Sequence, residues 1–429
     1  MPMIEGPGPD SLASRPRQEL CILGREYLLL GHLQDRVGLP LAMQIVGEEA
    51  QVQLSIDEWM GASPIYSVRM QEALGFKGND VGTVFKNMQL EIGAPPQFQD
   101  FQFRLDSPES GEFWLAHCGA LLDVEPFGEK RVKTMCWDIE DPTFDATAAA
   151  THPCMKMRPI HRPPRIDAED GNGVGKWPHC RWVVYIDDEG TPYEQHPNLP
   201  RMQETLLAEI PIELPATDAE AGGWPDYSGE FDPGFQLEDL AHRALLAVCQ
   251  EAAVQSHLLA RSLILNVDQR HGEGDARAIG RGLATGAAAV GAYRLKRALG
   301  LGDDAKAIVE VFQIHPQFMP RTYVDLRAEL IGGDTARIAL HDCPALAEAD
   351  VHSWFACLEE EIPPSIQAIA TMVNPRAEVR RANAGSARYA WEIGIDETAE
   401  ARREPKEMSI ARVSRGVDFE LMQRRPLRN

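Results

Sequence analysis

Apolar residues recur at helical spacing early in the chain, at Leu20, Leu23, Tyr27, Leu28 and Leu30 and again at Met43, Val46, Ala50, Leu54 and Trp59, and this spacing predicts helices. The period then changes. Phe101, Phe103 and Leu105 alternate with polar residues, the turn sequence DSPESG follows, and Phe113, Leu115 and His117 alternate after it, which predicts a β-hairpin. The same order returns further on. Helical spacing at Leu245, Leu246, Val248 and Leu258 precedes alternation at Val324, Leu326, Ala328 and Leu330, a turn at Gly332-Gly333-Asp334, and Ile338 and Leu340. A helical stretch follows the hairpin, clearest at Leu346, Val351, Trp354, Phe355 and Leu358, and then a last strand at 181–187 or 388–395. Helices segregated from antiparallel strands predict an α+β fold.

The recurrence extends to individual residues. A shift of 225 places Arg69 on Arg294, and the match runs without a gap from Leu20 to Leu121, through pairs such as Glu26/Glu251, His32/His257, Arg36/Arg261 and Cys118/Cys343. A four-residue deletion in the second copy then brings Cys136 onto Cys357 and Glu140 onto Glu361. This predicts a tandem duplication: a tail at 1–16, repeat domains at 17–190 and 236–396, a proline-rich linker at 191–235, and an arginine-rich tail at 397–429. Such a tail is solvated or docks on a second copy of the chain, so a homo-oligomer is one expectation.

Charge and composition narrow the partners. With 65 Asp and Glu against 42 Lys and Arg, the net charge is −23, which argues against nucleic acid or an anionic membrane, since both need clustered positive charge. No stretch approaches a membrane span or a signal peptide, so a cytoplasmic protein is expected. Eight cysteines in that compartment are thiols or metal ligands.

Those cysteines differ between the copies. The first has Cys118, Cys136, Cys154 and Cys180 with His152 and His179 among them, whereas the second keeps only counterparts of Cys118 and Cys136. Four thiolates with nearby imidazoles suit tetrahedral zinc, although intervals of 18, 18 and 26 residues require ligands from separate elements. The competing reading of Cys118 and Cys136 is that they are small core residues repeated with the fold. Asp138 is the candidate general base beside a metal-bound water, and His152 and His179 are candidate ligands or proton shuttles. Arg162 and Arg165, in RPIHRPPR, are candidates to hold a substrate carboxylate through the guanidinium fork; pairing with acidic neighbours is the alternative. His32 and His257 read as packed core histidines.

Several features together resemble the family of L-2-amino-thiazoline-4-carboxylic acid hydrolase-like proteins, and more remotely the vinyl-reductase and phenol-sensor ligand-binding domains. They are Gly47-Glu48-Glu49-Ala50 on an early helix, a strand ending at Cys118, Cys136 with Asp138 two residues on, an arginine-bearing segment, and Cys180-Arg181-Trp182 opening a final strand. The resemblance covers roughly residues 20–187 and implies a cysteine-held metal and a small, in some cases heterocyclic, carboxylate as ligand. The chain departs from it in its duplication, in Cys154 and in the insertion between Arg165 and Cys180. The expected function is a metal-dependent hydrolase or related lyase, using a divalent metal with zinc the first candidate, acting on a small carboxylated molecule. A small-molecule-binding or sensor module with structural zinc is the alternative.

Overall fold

A computed structural model describes residues 11–163 and 179–429. The chain opens with helices α1 (Arg17–Leu33), α2 (Asp35–Val46), α3 (Glu48–Ala73) and α4 (Val81–Met88). Strands β1 (Gln99–Ser107) and β2 (Ser110–Cys118) form the expected hairpin. After it come α5 (Gly119–Val124), α6 (Glu129–Lys133), a π-helical turn at Thr134–Ile139, α7 (Glu140–Ala149), β3 (Met155–His161) and β4 (Arg181–Ile186). Two short helices follow, α8 (Leu199–Gln203) and α9 (Leu206–Glu209). The second half has α10 (His242–His271), α11 (Glu273–Ala298), α12 (Ala305–Ile314), β5 (Leu326–Ile331) and β6 (Thr335–Leu340). It closes with α13 (Pro344–Ala347), α14 (Pro364–Val373), β7 (Ala377–Arg381), β8 (Tyr389–Ile395) and α15 (Lys406–Ala411). Helices lie apart from two four-stranded antiparallel sheets, ordered β1-β2-β4-β3 and β5-β6-β8-β7, so the fold is α+β.

The local breaks have chemical causes. Gly47, between α2 and α3, has φ 97°, and Gly272, between α10 and α11, has φ 96°; a side chain at either would be strained, so both positions suit glycine. Strands β3 and β7 escaped the pattern reading. Each is an edge strand, and in β3 Pro159 interrupts the alternation of buried Met155 and Met157. An edge position tolerates the missing N–H of proline.

The helices of the two halves share one hydrophobic cluster, in which Leu20, Tyr27 and Leu54 pack with Leu245, Leu258 and Leu283. Two buried ion pairs cross between the halves reciprocally. Arg294 binds Glu26 at 2.7 and 2.9 Å, and Arg69 binds Glu251 at 2.9 and 2.7 Å. Residues equivalent under the 225 shift thus exchange roles, as in an isologous two-fold interface.

The segments read as linker and tail are ordered straps that obey the same reciprocity. The strap after the first half donates from the N–H groups of Leu206 and Leu207 to the Glu348 carboxylate at 2.9 and 3.1 Å. The strap after the second half donates to Asp123, the counterpart of Glu348, from the Ser414 hydroxyl at 2.6 Å and the Arg415 N–H at 2.8 Å. Near the C-terminus, Arg424 pairs with Asp100 and Arg425 with Asp239. The arginine-rich end therefore lies on the chain's own acidic residues. Among the described residues no helix is long and apolar enough to cross a membrane, and all eight cysteines are thiols.

Candidate functional site

In the second half the sheet residues Leu326, Ile338 and Trp391 join the main helical cluster directly. In the first half the corresponding sheet, with Phe103, Phe113, Leu115 and Trp182, forms a separate apolar cluster. Between that cluster and the helices lies a cavity of about 420 Å³. Its apolar wall includes Leu39, Phe101, Leu115 and Phe144, and Phe127 and Val413, 59% and 53% exposed, lie where it meets solvent. The α15 strap contributes Ile410 and Val413.

The second half fills the equivalent space. Trp354 and Phe355 are buried there, with ring centroids 5.0 and 5.8 Å from His257. The alignment that pairs Cys136 with Cys357 places Phe355 on Thr134, a residue of the open cavity's wall. His257 is a packed histidine, as the sequence suggested; it bonds the Met319 carbonyl at 2.8 Å, and burial lowers its pKa to about 4. His32 is packed as well, buried with its ring 5.6 Å from Phe98, and it also lines the cavity. Arg36 donates to its Nε2 at 3.0 Å, which leaves the proton on Nδ1, and Nδ1 is buried without a partner.

The predicted ligands divide into two groups. Cys118, Cys136 and Cys180 pack in the same apolar cluster, and Glu140 and the neighbouring thiols raise the pKa of Cys136 further beyond the effect of burial. Cys118 caps α5, its Sγ accepting from the Leu121 N–H at 3.4 Å, and burial pushes its thiol up to about 12. Cys154 is elsewhere. Its carbonyl accepts from the Asp187 N–H, past the far end of β4, whereas the Cys180 carbonyl accepts from Leu115 before the near end, roughly 20 Å away along an extended strand. The two histidines separate in the same way. His152 sits with Cys154, its Nδ1 accepting from the Cys154 N–H and its Nε2 3.8 Å from Asp188. His179 is at the Cys180 end, its N–H bonded to the Leu115 carbonyl and its ring 6.3 Å from that of His117. Antiparallel pairing of β3 with β4 is the cause, because it sends the two ends of the segment in opposite directions.

Among the described residues no group of three or more His, Cys, Asp or Glu side chains is arranged to hold a metal ion. The thiols that meet lie in an apolar cluster that favours their protonated form, so the donor set does not fit zinc as it stands, and no chemical step is derived through a metal. Asp138 is exposed on the π-helical turn. Arg162 forks onto Asp141 at 2.8 and 3.2 Å, donates to the Cys136 carbonyl and lies 4.0 Å from the Trp137 ring centre. Arg165 lies outside the described residues.

Other residues supply the polar lining. Glu140 reaches the cavity with Oε2 unpartnered, and burial, opposed by Arg162, raises its pKa to about 8. Glu91 has an unpartnered Oε2 as well and is raised by burial to about 7. Asp35 accepts from the Trp59 indole at 3.1 Å and shares a hydrogen bond with Glu58. Both carboxyl pKa values are raised by burial, as expected when two buried acids share a proton. Arg131 contacts Gln51 Oε1 at 3.3 Å and the Met43 thioether at 2.6 Å, and lies 3.9 Å from the exposed Glu48 carboxylate. A signal for these acids was present in the self-alignment: the 225 shift puts Asp35, Glu58, Tyr66 and Glu91 on Ala260, Leu283, Gly291 and Pro316. Ionisable residues in the first half thus face apolar or small residues at the equivalent core positions of the second. Comparison with family models, with curated proteins and with solved structures returns no match.

Proposed function

We propose that the first half binds a small carboxylated molecule with an apolar body in this cavity and catalyses its hydrolysis or a related elimination, while the duplicated second half serves as its scaffold. The observation that carries the reading is the contrast between the open seam of the first half and the seam packed by Trp354 and Phe355 in the second. Evolution of a core removes voids unless something occupies them. Arg131, whose present partners are an amide, a thioether and, at 3.9 Å, the exposed Glu48 carboxylate, gains a closer, bidentate partner from a bound carboxylate. The apolar body then lies against Leu39, Phe101, Leu115 and Phe144.

Glu140 is the acid of this scheme. Its carboxyl is held neutral near pH 7 by burial, so it can donate its proton to the leaving heteroatom as that bond breaks. In hydrolysis the resulting carboxylate recovers a proton from the attacking water, whose oxygen is retained in the product. The same pocket without chemistry would make a binding or sensor module, and the neutral acid favours the enzyme over it. A zinc ion would have to be held by Cys118, Cys136 and Cys180, the thiols that meet, and metal analysis of Cys136→Ser beside Cys154→Ser separates that set from one including Cys154.

The cavity is tested with anilinonaphthalene sulfonate, a flat apolar anion whose fluorescence rises on leaving water. Binding is expected in the unaltered protein, weakened by Arg131→Gln and abolished by Thr134→Phe, which copies the plug of the second half. Unchanged binding by Thr134→Phe would remove the cavity from the account. With 2-aminothiazoline-4-carboxylate as the first substrate offered, Glu140→Gln should lower turnover about 100-fold or more while leaving binding intact. Equal turnover leaves only the binding module.

A further inference from the structure

The proton-donating scheme leaves one wall of the cavity unused. There Asp35, Tyr66 and Glu91 meet the indole of Trp59, with Glu58 behind Asp35. Glu91 is 8% exposed and Asp35 4%, and each has a carboxyl oxygen, Oε2 and Oδ1, without a partner. The Asp35 oxygen is accounted for by the proton shared with Glu58. The Glu91 oxygen has no such account. Gly93 lets the Trp59 ring pack close to this turn, since a Cβ at that position would stand 3.1 Å from the ring, tighter than ordinary contact, and 3.6 Å from Glu91 Oε1. The Glu91 carboxyl, with its unpartnered Oε2, and the Trp59 ring thus lie side by side in the lining of the cavity. Both kinds of group attract cations, the carboxylate by charge and the indole by its ring quadrupole. None of the four acidic or phenolic residues has a counterpart in the second half, where Trp354 packs 5.0 Å from His257.

We infer that this wall is a subsite for an organic cation, so that the ligand carries a protonated amine or amidine held between Glu91 and the Trp59 ring. The inference rests on the cavity reading above and specifies the ligand's second end: an anionic group toward Arg131, a cationic group toward Glu91 and Asp35. The titratable and charged groups facing the subsite are Asp35 from α2, Glu58 and Tyr66 from α3, and Glu91 from the turn after α4, with His32 and Arg36 lining the same cavity. Burial raises Glu91 to about 7 and Asp35 to about 6 and raises Glu58 as well, so at pH 6.5 Glu91 keeps most of its proton and the Asp35–Glu58 pair holds one between them. An arriving ammonium stabilises the ionised carboxylate, so binding releases a proton to solvent.

The probes are phenethylamine, charged at pH 6.5, and phenethyl alcohol, its neutral counterpart of nearly the same shape. Titration calorimetry in two buffers of different ionisation enthalpy reads both affinity and proton release on the unaltered protein. The amine is expected to bind about tenfold more tightly than the alcohol and to release a substantial fraction of a proton, and Glu91→Gln should erase most of both differences. Equal affinities, or an amine preference that survives both Glu91→Gln and Asp35→Asn, overturns the subsite. Should a variant fail to fold, proton release in the unaltered protein decides alone, and its absence counts against the subsite. Binding of the arylsulfonate without an amine preference leaves the cavity reading intact and sinks this one. The converse result retains the acidic wall and removes the carboxylate at Arg131.

Discussion

Glu140 and Glu91 show how little an acidic residue's identity says about its charge. Both carboxyls have folded pKa values raised by burial, to about 8 and about 7, from the ordinary glutamate value of 4.5. Between pH 4.5 and those values the folded protein keeps a proton that the unfolded chain has lost. Their contribution is therefore fully present below pH 4.5, declines as pH rises, and is gone above about 8. Thermal melting from pH 5 to 8 should show stability falling along this range. Glu140→Gln should flatten the slope and melt higher than the unaltered protein at pH 8, by on the order of 2 kcal/mol. A slope unchanged by Glu140→Gln would mean that the carboxyl ionises normally. At this scale the sequence was a partial guide. The cysteines of the first half were a visible asymmetry, yet Cys154 parts from Cys118, Cys136 and Cys180 because spacing along a chain does not reveal which end of a strand a residue reaches. Glu140 aligns with Glu361, and nothing along the chain separates the two; the difference lies in what surrounds them.

Among the elements, the hairpins and last strands were readable because their period of two persists for several residues, and the helices because their apolar stripe is long. Strand β3 was hidden by Pro159 and by its edge position, which together remove the alternation that identifies a strand. The straps were misleading for a related reason. Seven prolines between Pro192 and Pro233 suppress regular structure, but a segment without long helices can still be bound at fixed points, here through Glu348 and through the carbonyls of Ala208 and Ile210 held by Arg69. The crossing ion pairs can be tested in the same terms. Glu26→Gln leaves the Arg294 guanidinium, 4% exposed, without its counter-charge, and a loss of about 3 kcal/mol in denaturant unfolding is expected. Glu273→Gln removes an exposed pair with Arg277 and should cost less than about 0.5 kcal/mol. Similar losses for the two would contradict the buried, charged character of the Arg294 pair.

For the whole molecule, the two halves are joined by a shared helical core, reciprocal ion pairs and exchanged straps. A fragment ending near residue 198 lacks α10, α11 and the α15 strap, and with them the cover over α1 and Arg294, the partner of Glu26. Expressed alone, it is expected to lose near-ultraviolet circular dichroism or to self-associate, and to recover order when the second half is co-expressed. A monomeric, cooperatively melting fragment would instead mark the halves as independent domains. The internal reciprocity also satisfies within one chain the surfaces that a two-fold pair would bury between chains.

The amino-acid sequence by itself determined the order of elements, the α+β class, the acidic character and the recurrence of a pattern at a shift of 225, because periodicity and composition are properties of the linear chain. Only the tertiary structure decided that one seam stays open while its counterpart is packed by aromatic rings, that three thiols meet and a fourth does not, and that Glu91, Asp35 and Glu140 face a common space. Those outcomes depend on which groups share a low-dielectric interior, and that is fixed by packing in three dimensions rather than by neighbourhood along the chain.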